Sequence, residues 1–260
     1  MNFKSLCSGS SGNAALLWTA GAAVLIDFAP GCQRDCRETL RKLKQGCAAL
    51  DTVLVTHAHG DHINRNSLKV MQEEGFRVLC HPAVGREIQE RHGSKHAAIL
   101  HSFEGEITVG DLKVRHVRVD HSPRCYTTAF ILTSARGRGR KASVFTDLCR
   151  FTDEHAALAA NSDLLILEAN HDAELLRSFG HPGSEFHLSN LETARFLHAI
   201  CARGSRQPQA VVLGHLSEDC NAPELPEREI RTFFRKKDCR IKFKTHIAPR
   251  YEPGVILTVK

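Results

Sequence analysis

The segment TVLVTHAHGDH contains four side chains that can bind metal ions. His57, His59, Asp61 and His62 follow an apolar run rich in β-branched residues, so a strand delivers the chain to a loop that holds all four. Gly60 allows a tight turn between them. On such a loop His57 and His59 can point at one cation, while Asp61 and His62 point at a second one. Imidazole and carboxylate ligands suit Zn, Mn or Fe better than Ca or Mg, so the spacing predicts a transition-metal site.

Two metal ions need further ligands, and three candidates stand where predicted strands end. His121 closes the run KVRHVRVDH, Asp147 closes SVFTD, and His215 closes AVVLGH. Three strand ends can converge on one edge of a sheet, and a carboxylate such as Asp147 bridges two cations more readily than a neutral imidazole does. His116 competes with His121 for the same role, and the position at the end of the run favours His121.

The elements that must position these residues alternate between apolar strands and amphipathic helices. Strands are predicted over residues 3–6, 14–18, 23–28, 52–56, 77–81, 107–119, 126–134, 142–146, 164–167 and 210–213, with two short closing strands. Helices are predicted over residues 34–46, 68–74, 84–92, 153–160, 189–203 and 223–237. This order indicates an α/β (α+β) protein in which two sheets form a sandwich with helices outside. No linker or repeat interrupts it, so we expect one domain over residues 1–260.

The composition narrows the class of protein. With 42% hydrophobic and 25% charged residues in 260, the chain is globular rather than disordered or fibrous. The 16 histidines are enriched, which agrees with metal binding. A net charge of +6 permits a polyanionic partner. The 10 cysteines contain no C-x-x-C pair and are expected to be reduced thiols, mostly in the core. No apolar run is long enough for a signal peptide or a membrane span, so we expect a cytoplasmic protein without a membrane partner.

In this order the motifs resemble those of metallo-β-lactamase-fold hydrolases, starting with Asp27 in VLIDFAP and continuing through THAHGDH to the three strand-end ligands. The resemblance covers nearly the whole chain. It implies a four-layer αβ/βα sandwich with a centre for two divalent ions, Zn or Mn. It also implies a first site of His57, His59 and His121, a second site of Asp61, His62 and His215, and a bridging Asp147.

Further motifs are similar to the YycJ/WalJ type, an exonuclease-like family of this fold. They are SLCSGSSGNA, DLLILEANHD, EFHLSN and LGHLSEDCN. Glu168 followed by His187 is also similar to a pair in ribonuclease Z. That resemblance implies that His187 protonates the leaving oxygen while Glu168 holds its imidazole. A carboxylate beside a histidine raises the imidazole pKa and fixes its tautomer, which favours the same general-acid role.

Several residues near this pair are expected to bind substrate. Ser189 and Glu192 form a capping-box pattern that opens a helix, which places His187 beside a helix N-terminus suited to phosphate. The substrate-binding candidates are Ser189, Asn190, Asn170 and His171. For Asn170 and His171 an ordinary polar loop is an equal alternative. The catalytic candidates are Asp61, Glu168 and His187.

The chain departs from the family pattern at three places. Asp120-His121-Ser122 replaces Ser-His-Asp, Asp147-Leu148-Cys149 replaces Asp-Thr-Gly, and RSFGHPGSEF replaces an aromatic and basic stretch. These departures spare the ligands but weaken any transfer of substrate specificity. The interval between Asp147 and His215 is too short for the β-CASP insertion of ribonuclease J-like enzymes.

Two basic segments are candidates for tracking a phosphate backbone. RGRGRK forms a hairpin tip, and REIRTFFRKKDCRIKFK interleaves charges with Phe233, Phe234 and Phe243. The alternatives are a solvated tip and phenylalanines in the core. The C-terminal segment THIAPRYEPG is a further candidate for approaching the predicted site.

The sequence therefore favours a two-metal phosphodiesterase or exonuclease acting on DNA or RNA, in which a hydroxide activated by the cations attacks phosphorus. A hydrolase of small thioesters, lactones or cyclic phosphodiesters on the same centre is the alternative. A metal-stabilised binding protein without turnover is the third possibility, and the complete ligand set argues against it.

Overall fold

The computed structural model describes residues 1–180 and 183–260, and these residues build two seven-stranded sheets. The first sheet contains β1 (Asn2–Cys7), β2 (Ala14–Trp18), β3 (Ala23–Phe28), β4 (Leu50–Leu54), β5 (Arg77–Cys80), β6 (Leu100–Ser102) and β14 (Leu257–Thr258). The second contains β7 (Glu106–Val109), β8 (Leu112–Val119), β9 (Thr127–Ser134), β10 (Lys141–Phe145), β11 (Leu164–Glu168), β12 (Ala210–Gly214) and β13 (Lys244–Ile247).

Both sheets are mixed. Their strand orders are β14-β1-β2-β3-β4-β5-β6 and β13-β12-β11-β10-β9-β8-β7. β3 to β6 run parallel in the first sheet, and β10 to β13 run parallel in the second. The carboxyl ends of each parallel group therefore meet at one edge of its sheet.

The central strands are continuous apolar runs because both of their faces are buried. In β3, Val24 and Ile26 face the core between the sheets, while Leu25 faces the helices on the other side. In β11, Ile166 faces the inter-sheet core and Leu165 faces the opposite helix layer. Alternation of side chains along a strand thus supplies two hydrophobic cores from one run.

Helices cover the outer face of each sheet. The first sheet packs against α1 (Gln33–Gly46), α2 (Arg65–Glu73) and α3 (Pro82–His92), and the second against α4 (Asp153–Ala159), α6 (Asn190–Arg203) and α7 (Glu224–Lys236). A short helix, α5 (Ala173–Phe179), follows β11, and 3₁₀ turns span Ser94–Ile99 and Ser184–Phe186. The layers run helix, sheet, sheet, helix, which confirms the predicted four-layer αβ/βα sandwich.

The main difference from the predicted elements lies at residues 107–119. The predicted single strand is a hairpin of β7 and β8, turning at Gly110 with φ of +56°. A side chain there would place its Cβ 2.3 Å from the carbonyl oxygen of Gly21, so only glycine fits. β6 and α5 were not predicted, because short elements carry little periodic signal. The interpretation as one domain stays a prediction.

All ten cysteines are free thiols, as predicted. Four of them are buried, five are half-buried and Cys32 is exposed, so fewer lie in the core than expected. Among the described residues, no helix is both long enough and apolar enough to cross a bilayer.

Candidate metal centre

The predicted ligands lie together at the edge of the sandwich where the parallel strands end. His57 follows β4, His121 follows β8, Asp147 follows β10 and His215 follows β12. Asp147 and His215 adopt left-handed backbone conformations, with φ of 57° and 55°. Non-glycine residues seldom occupy this region, and such strain is characteristic of functional sites.

The first group contains three histidines whose ring nitrogens converge. His57 Nε2 lies 3.1 Å from His59 Nδ1, and His59 Nδ1 lies 3.3 Å from His121 Nε2. Two nitrogens bound to one tetrahedral Zn ion at about 2.0–2.1 Å lie about 3.3 Å apart. The three nitrogens are therefore spaced as ligands of one cation.

The second group contains Asp61, His62 and His215, whose ligand atoms all lie within 4.8 Å of one another. Asp61 Oδ2 lies 3.4 Å from His62 Nε2 and 3.3 Å from His215 Nε2. This mixture of carboxylate and imidazole suits the same class of divalent cation.

Asp147 lies between the two groups. Its Oδ2 is 3.1 Å from His62 Nε2, its Oδ1 is 3.4 Å from His215 Nε2, and it also forms a compact set with His57 and His121. Oδ2 is buried and has no hydrogen-bond partner of good geometry among the described residues, although His62 Nε2 approaches it to 3.1 Å. Such a buried carboxylate oxygen fits a ligand of a cation, and the position suits the bridging role that the resemblance implies.

Neighbours fix the second ring nitrogen of several ligand histidines. His57 Nδ1 lies 2.9 Å from the Thr56 hydroxyl. His62 Nδ1 lies 2.7 Å from Asp27 Oδ2, and His121 Nδ1 lies 2.8 Å from the Phe186 carbonyl. Asn170 Nδ2 lies 3.3 Å from His215 Nδ1. The oxygens beside His57, His62 and His121 can accept from Nδ1–H and so orient the Nε2 of these three rings toward the centre, as outer partners do in metal sites.

Protonation also favours cation binding. Burial and repulsion from His62 hold the pKa of His57 well below its usual range, and burial together with His121 lowers the pKa of His59 to about 4. These two imidazoles are therefore neutral, as metal ligands must be. Burial would lower the pKa of His62, but Asp147, Asp27 and Asp61 raise it well above its usual range. The three carboxylates thus stabilise positive charge near His62, so the residues of the centre fit two divalent ions.

Glu168 and His187 form the predicted pair. Glu168 is fully buried; its Oε1 accepts hydrogen bonds from the backbone N–H groups of Leu148 (2.7 Å) and Leu188 (3.1 Å). Its Oε2 lies 2.9 Å from His187 Nδ1. Burial lowers the pKa of His187, but Glu168 and Asp147 outweigh burial and raise it to about 9. The imidazole is therefore cationic at neutral pH and lies beside the ligand groups.

The substrate-binding candidates have structural contacts. Ser189 caps α6, its hydroxyl accepting from the N–H of Glu192, and Asn190 is buried and bonds to Asn221. Asn170 donates to the His215 carbonyl oxygen at 3.0 Å. His171 is buried, and its Nδ1 has no hydrogen-bond partner among the described residues. A direct substrate contact by any of the four stays a prediction.

His116, the competitor of His121, lies outside the centre. Its Nε2 is 3.1 Å from the Phe103 carbonyl oxygen. It lies on β8 at a register position that faces the space between the sheets, because Val114 on the same face belongs to the inter-sheet core. The structure thus places His121, and not His116, beside His59, and the ligand role of His121 stays a prediction.

Two residues near the ligands were not singled out from the sequence. Asn13 Nδ2 lies 3.2 Å from Asp61 Oδ2, and the Asn13 backbone N–H donates to the Asp61 carbonyl at 2.7 Å. The sequence signal for Asn13 was its Gly/Ser-rich segment, in which the chain passes close to other backbone. A Cβ at Gly12 would lie 2.2 Å from the Ala29 carbonyl oxygen. Cys125 Sγ lies within 4.8 Å of a nitrogen of both His57 and His59, which no spacing indicated.

The two basic segments do not line the centre. RGRGRK joins β9 to β10 at the end of β10 opposite Asp147, and a strand of five residues spans roughly 17 Å. Its Arg140 pairs with Asp163 at 2.7 Å. Phe234 and Phe243 are buried against the second sheet, so the core alternative holds for them. The C-terminal segment does reach the edge of the centre, since the Arg250 guanidinium donates to the Leu216 carbonyl.

The sandwich and its ligand set define the class: a metal-dependent hydrolase of the metallo-β-lactamase fold. The model of the family described as "Beta-lactamase superfamily domain" matches residues 23–215, and the chain belongs to this family. The segment RSFGHPGSEF, where the sequence departs from the family pattern, includes residues 181–182, which lie outside the described residues.

Similar proteins extend over most of the chain. Exodeoxyribonuclease WalJ of Streptococcus pneumoniae is 28% identical, covering 86% of this chain and 84% of that protein. Exodeoxyribonuclease YycJ of Bacillus anthracis is 24% identical, covering 91% and 90%. The metallo-β-lactamase fold protein YhfI of Bacillus subtilis superposes with a TM-score of 0.71 at 19% identity, covering 99% and 100%. The predicted YycJ/WalJ-type resemblance is confirmed.

Proposed function

We propose that this protein is an exonuclease that hydrolyses phosphodiester bonds of nucleic acid, with DNA as the preferred substrate. The observation that carries the proposal is the Glu168–His187 pair beside Asp147, since a protonated imidazole there serves a basic leaving alkoxide such as O3′, which the thiolate of a thioester does not require. The names of the two exodeoxyribonuclease relatives support DNA over RNA.

The residues at the centre would hold two divalent ions, which we propose to be Zn or Mn. When bound, such ions supply Lewis acidity that promotes ionisation of water and stabilises charge on phosphate. Asp61 is the more accessible of the two ligand carboxylates, with 22% of its side chain exposed against 2% for Asp147. We therefore place Asp61 next to the attacking water, where its carboxylate orients that water and accepts its proton.

His187 acts on the other side of the scissile bond. Its Nδ1 faces Glu168, so Nε2 is left to give a proton to the departing O3′. His187 also lines a cavity of about 190 Å³ together with Asn170, Ser184 and His215. This cavity is where we place the leaving nucleotide, with Asn170 as its polar contact.

The test is a nuclease assay with DNA and RNA side by side. Metal-loaded protein, with Mn or Zn, is incubated with linear single-stranded DNA, linear duplex DNA, closed circular DNA and RNA. We expect linear DNA to be shortened stepwise from an end while circular DNA stays intact. No hydrolysis of any substrate with either metal would overturn the nuclease, and equal cleavage of circular DNA would overturn the exonuclease.

We also infer a cytoplasmic location, supported by the ten free thiols, which fit a reducing compartment. Subcellular fractionation with an antibody to the protein tests this location, and recovery from the membrane or secreted fraction would contradict it.

A further inference from the structure

A stack of planar side chains lies beside the metal centre. The guanidinium of Arg118 lies over the ring of Tyr126, with Cζ 4.0 Å from the ring centroid. On its other side Tyr126 stacks on His81, with centroids 4.2 Å apart and planes inclined by 8°. His81 in turn meets the edge of His116 at 4.9 Å.

The stack is anchored at Tyr126 and His81 and is exposed at Arg118. The Tyr126 hydroxyl lies 3.3 Å from His81 Nε2, and the Tyr126 backbone N–H donates to Glu87. Arg118 donates from Nη1 to the Thr127 carbonyl oxygen at 3.2 Å; among the described residues this is the only hydrogen bond of its guanidinium. Tyr126 and His81 are half-buried, whereas Arg118 is exposed. The outer face of the guanidinium is therefore turned to solvent.

The loop that joins Arg118 to Tyr126 carries the first-site ligand His121. Arg118 precedes His121 by three positions. Tyr126 is bonded to Cys125, whose Sγ lies within 4.8 Å of ligand nitrogens of His57 and His59. A nucleic-acid strand with one phosphate at the centre can therefore place a neighbouring nucleotide at the stack.

We propose that Arg118, backed by Tyr126 and His81, is a stacking platform for a nucleobase of the substrate next to the scissile phosphate. The inference rests on the proposed function and names how the substrate strand is held. Planar guanidinium groups and aromatic rings bind unstacked bases in this way, and such stacking tolerates any sequence because every base has a π-face.

A phosphate contact is the competing role for an exposed arginine, and the geometry favours the base. A guanidinium that serves phosphate presents its edge of N–H donors. Here Arg118 Cζ lies 4.0 Å from the centroid of the Tyr126 ring, a distance that fits face-to-face stacking, and Nη1 donates to the Thr127 carbonyl oxygen, so two contacts restrain the guanidinium over the ring. The ring beneath Arg118 also restricts its motion, which lowers the entropic cost of stacking.

The experiment is a double-mutant cycle that measures how strongly the Arg118 side chain and one base of the DNA interact. Metal-loaded His187→Ala protein, in which turnover is suppressed, is titrated with end-labelled single-stranded DNA, and Kd is measured by fluorescence anisotropy. The DNA is intact or carries one tetrahydrofuran abasic site, moved one nucleotide at a time from the end. Arg118→Lys, which keeps the charge and removes the plane, is compared with Arg115→Lys, an exposed arginine of the same strand.

At one abasic position we expect Kd to rise about tenfold, and Arg118→Lys to raise Kd for intact DNA by about the same factor. Combining the two changes adds no further loss, because they remove one interaction. Arg115→Lys leaves the abasic effect unchanged. Thermal unfolding and metal content are measured for both variants to establish that the His121 loop is intact.

If Arg118→Lys raises Kd by the same factor for intact DNA and for DNA abasic at any position, the two effects are independent and the platform is overturned. That result is expected of a phosphate contact or of a change in the His121 loop. Because binding is the readout, coupling without any DNA hydrolysis by the native protein would reject the proposed nuclease and keep the platform. Hydrolysis without coupling would do the reverse.

Discussion

Several candidate ligand histidines at the centre contact a neighbour that a bound metal would not touch. Asp27 contacts His62 Nδ1 at 2.7 Å and also accepts hydrogen bonds from the Thr56 backbone and hydroxyl. The motif VLIDFAP drew attention to Asp27, but its role becomes visible only where β3 and β4 run side by side. The residue is thus an orienting partner of a ligand.

Replacing Asp27 with Asn is expected to weaken metal binding by about 10- to 100-fold, because His62 loses its charged partner. Competition with a chromogenic chelator measures the affinity for Zn and Mn. Asp111→Asn is the matched control, since Asp111 is a buried carboxylate that bonds to Thr19 far from the ligands. Equal affinities in the Asp27 variant and the native protein would contradict this role.

The proposed general-acid role of His187 predicts a dependence on the leaving group. His187→Ala should lower kcat/KM on DNA by about 10²–10⁴-fold, because O3′ leaves poorly without a proton. The same variant should hydrolyse bis(4-nitrophenyl) phosphate almost as fast as the native protein, since nitrophenolate needs no proton to leave. His101→Ala, at an exposed position, serves as the control. A similar loss on both substrates would show that His187 does not act as the acid.

At the scale of the elements, a buried carboxylate aligns the strands that end at the centre. Asp163 precedes β11 and accepts from Arg140 Nη1 at 2.7 Å, Arg206 Nη1 at 2.7 Å and the Lys141 backbone N–H at 2.9 Å. These contacts tie together the starts of β10 and β11, whose far ends carry Asp147 and Glu168. The network lies in the same segment as the RGRGRK hairpin, so part of that basic charge is structural.

Asp163→Asn is expected to lower the free energy of unfolding by about 3 kcal/mol, because Arg140 loses its buried partner. Urea titration monitored by circular dichroism measures the change. The surface pair of Asp153 with Arg203 provides the control, since Asp153 is 89% exposed and Asp153→Asn should cost at most about 1 kcal/mol. A loss of similar size in both variants would contradict the alignment role.

The same network gives a pH dependence. Burial would raise the pKa of Asp163, but hydrogen bonds from Arg206, the Lys141 backbone and Arg140 outweigh it and lower the pKa. A carboxyl with a folded pKa below its unfolded value of about 3.9 stabilises the protein above that value, and the contribution is lost as pH falls through the folded pKa. Urea titrations between about pH 6 and pH 3 should show a smaller decline of stability in Asp163→Asn than in the native protein. Parallel declines would contradict the assignment.

At the scale of the whole molecule, the centre joins the two halves of the sandwich. β4 of the first sheet delivers the His57 loop, and β10 and β12 of the second deliver Asp147 and His215. Cations bound there would link the two sheets, so metal should stabilise the complete fold. The one-domain interpretation implies that both sheets unfold together.

Metal-free protein is expected to unfold in one thermal transition, and Zn or Mn at 100 times its Kd should add about 2.7 kcal/mol of stability. Differential scanning calorimetry of chelator-treated protein with and without added metal measures both effects. His57→Ala should remove the shift without splitting the transition. Two separate transitions would contradict the single domain, and an unchanged Tm would contradict the metal centre.

The sequence by itself determined the sandwich and the types and order of the candidate ligands, because local spacing and period-2 or helical patterns record short-range geometry. It also indicated the Glu168–His187 pair, through the family resemblance. Only the tertiary structure decided which residues support the ligands, since Asn13, Asp27 and Cys125 meet the THAHGDH loop across long chain separations. The same reason applies to the Arg118–Tyr126–His81 stack and to the remote position of the basic hairpin. Their places follow from how two sheets pack together, which no local pattern encodes.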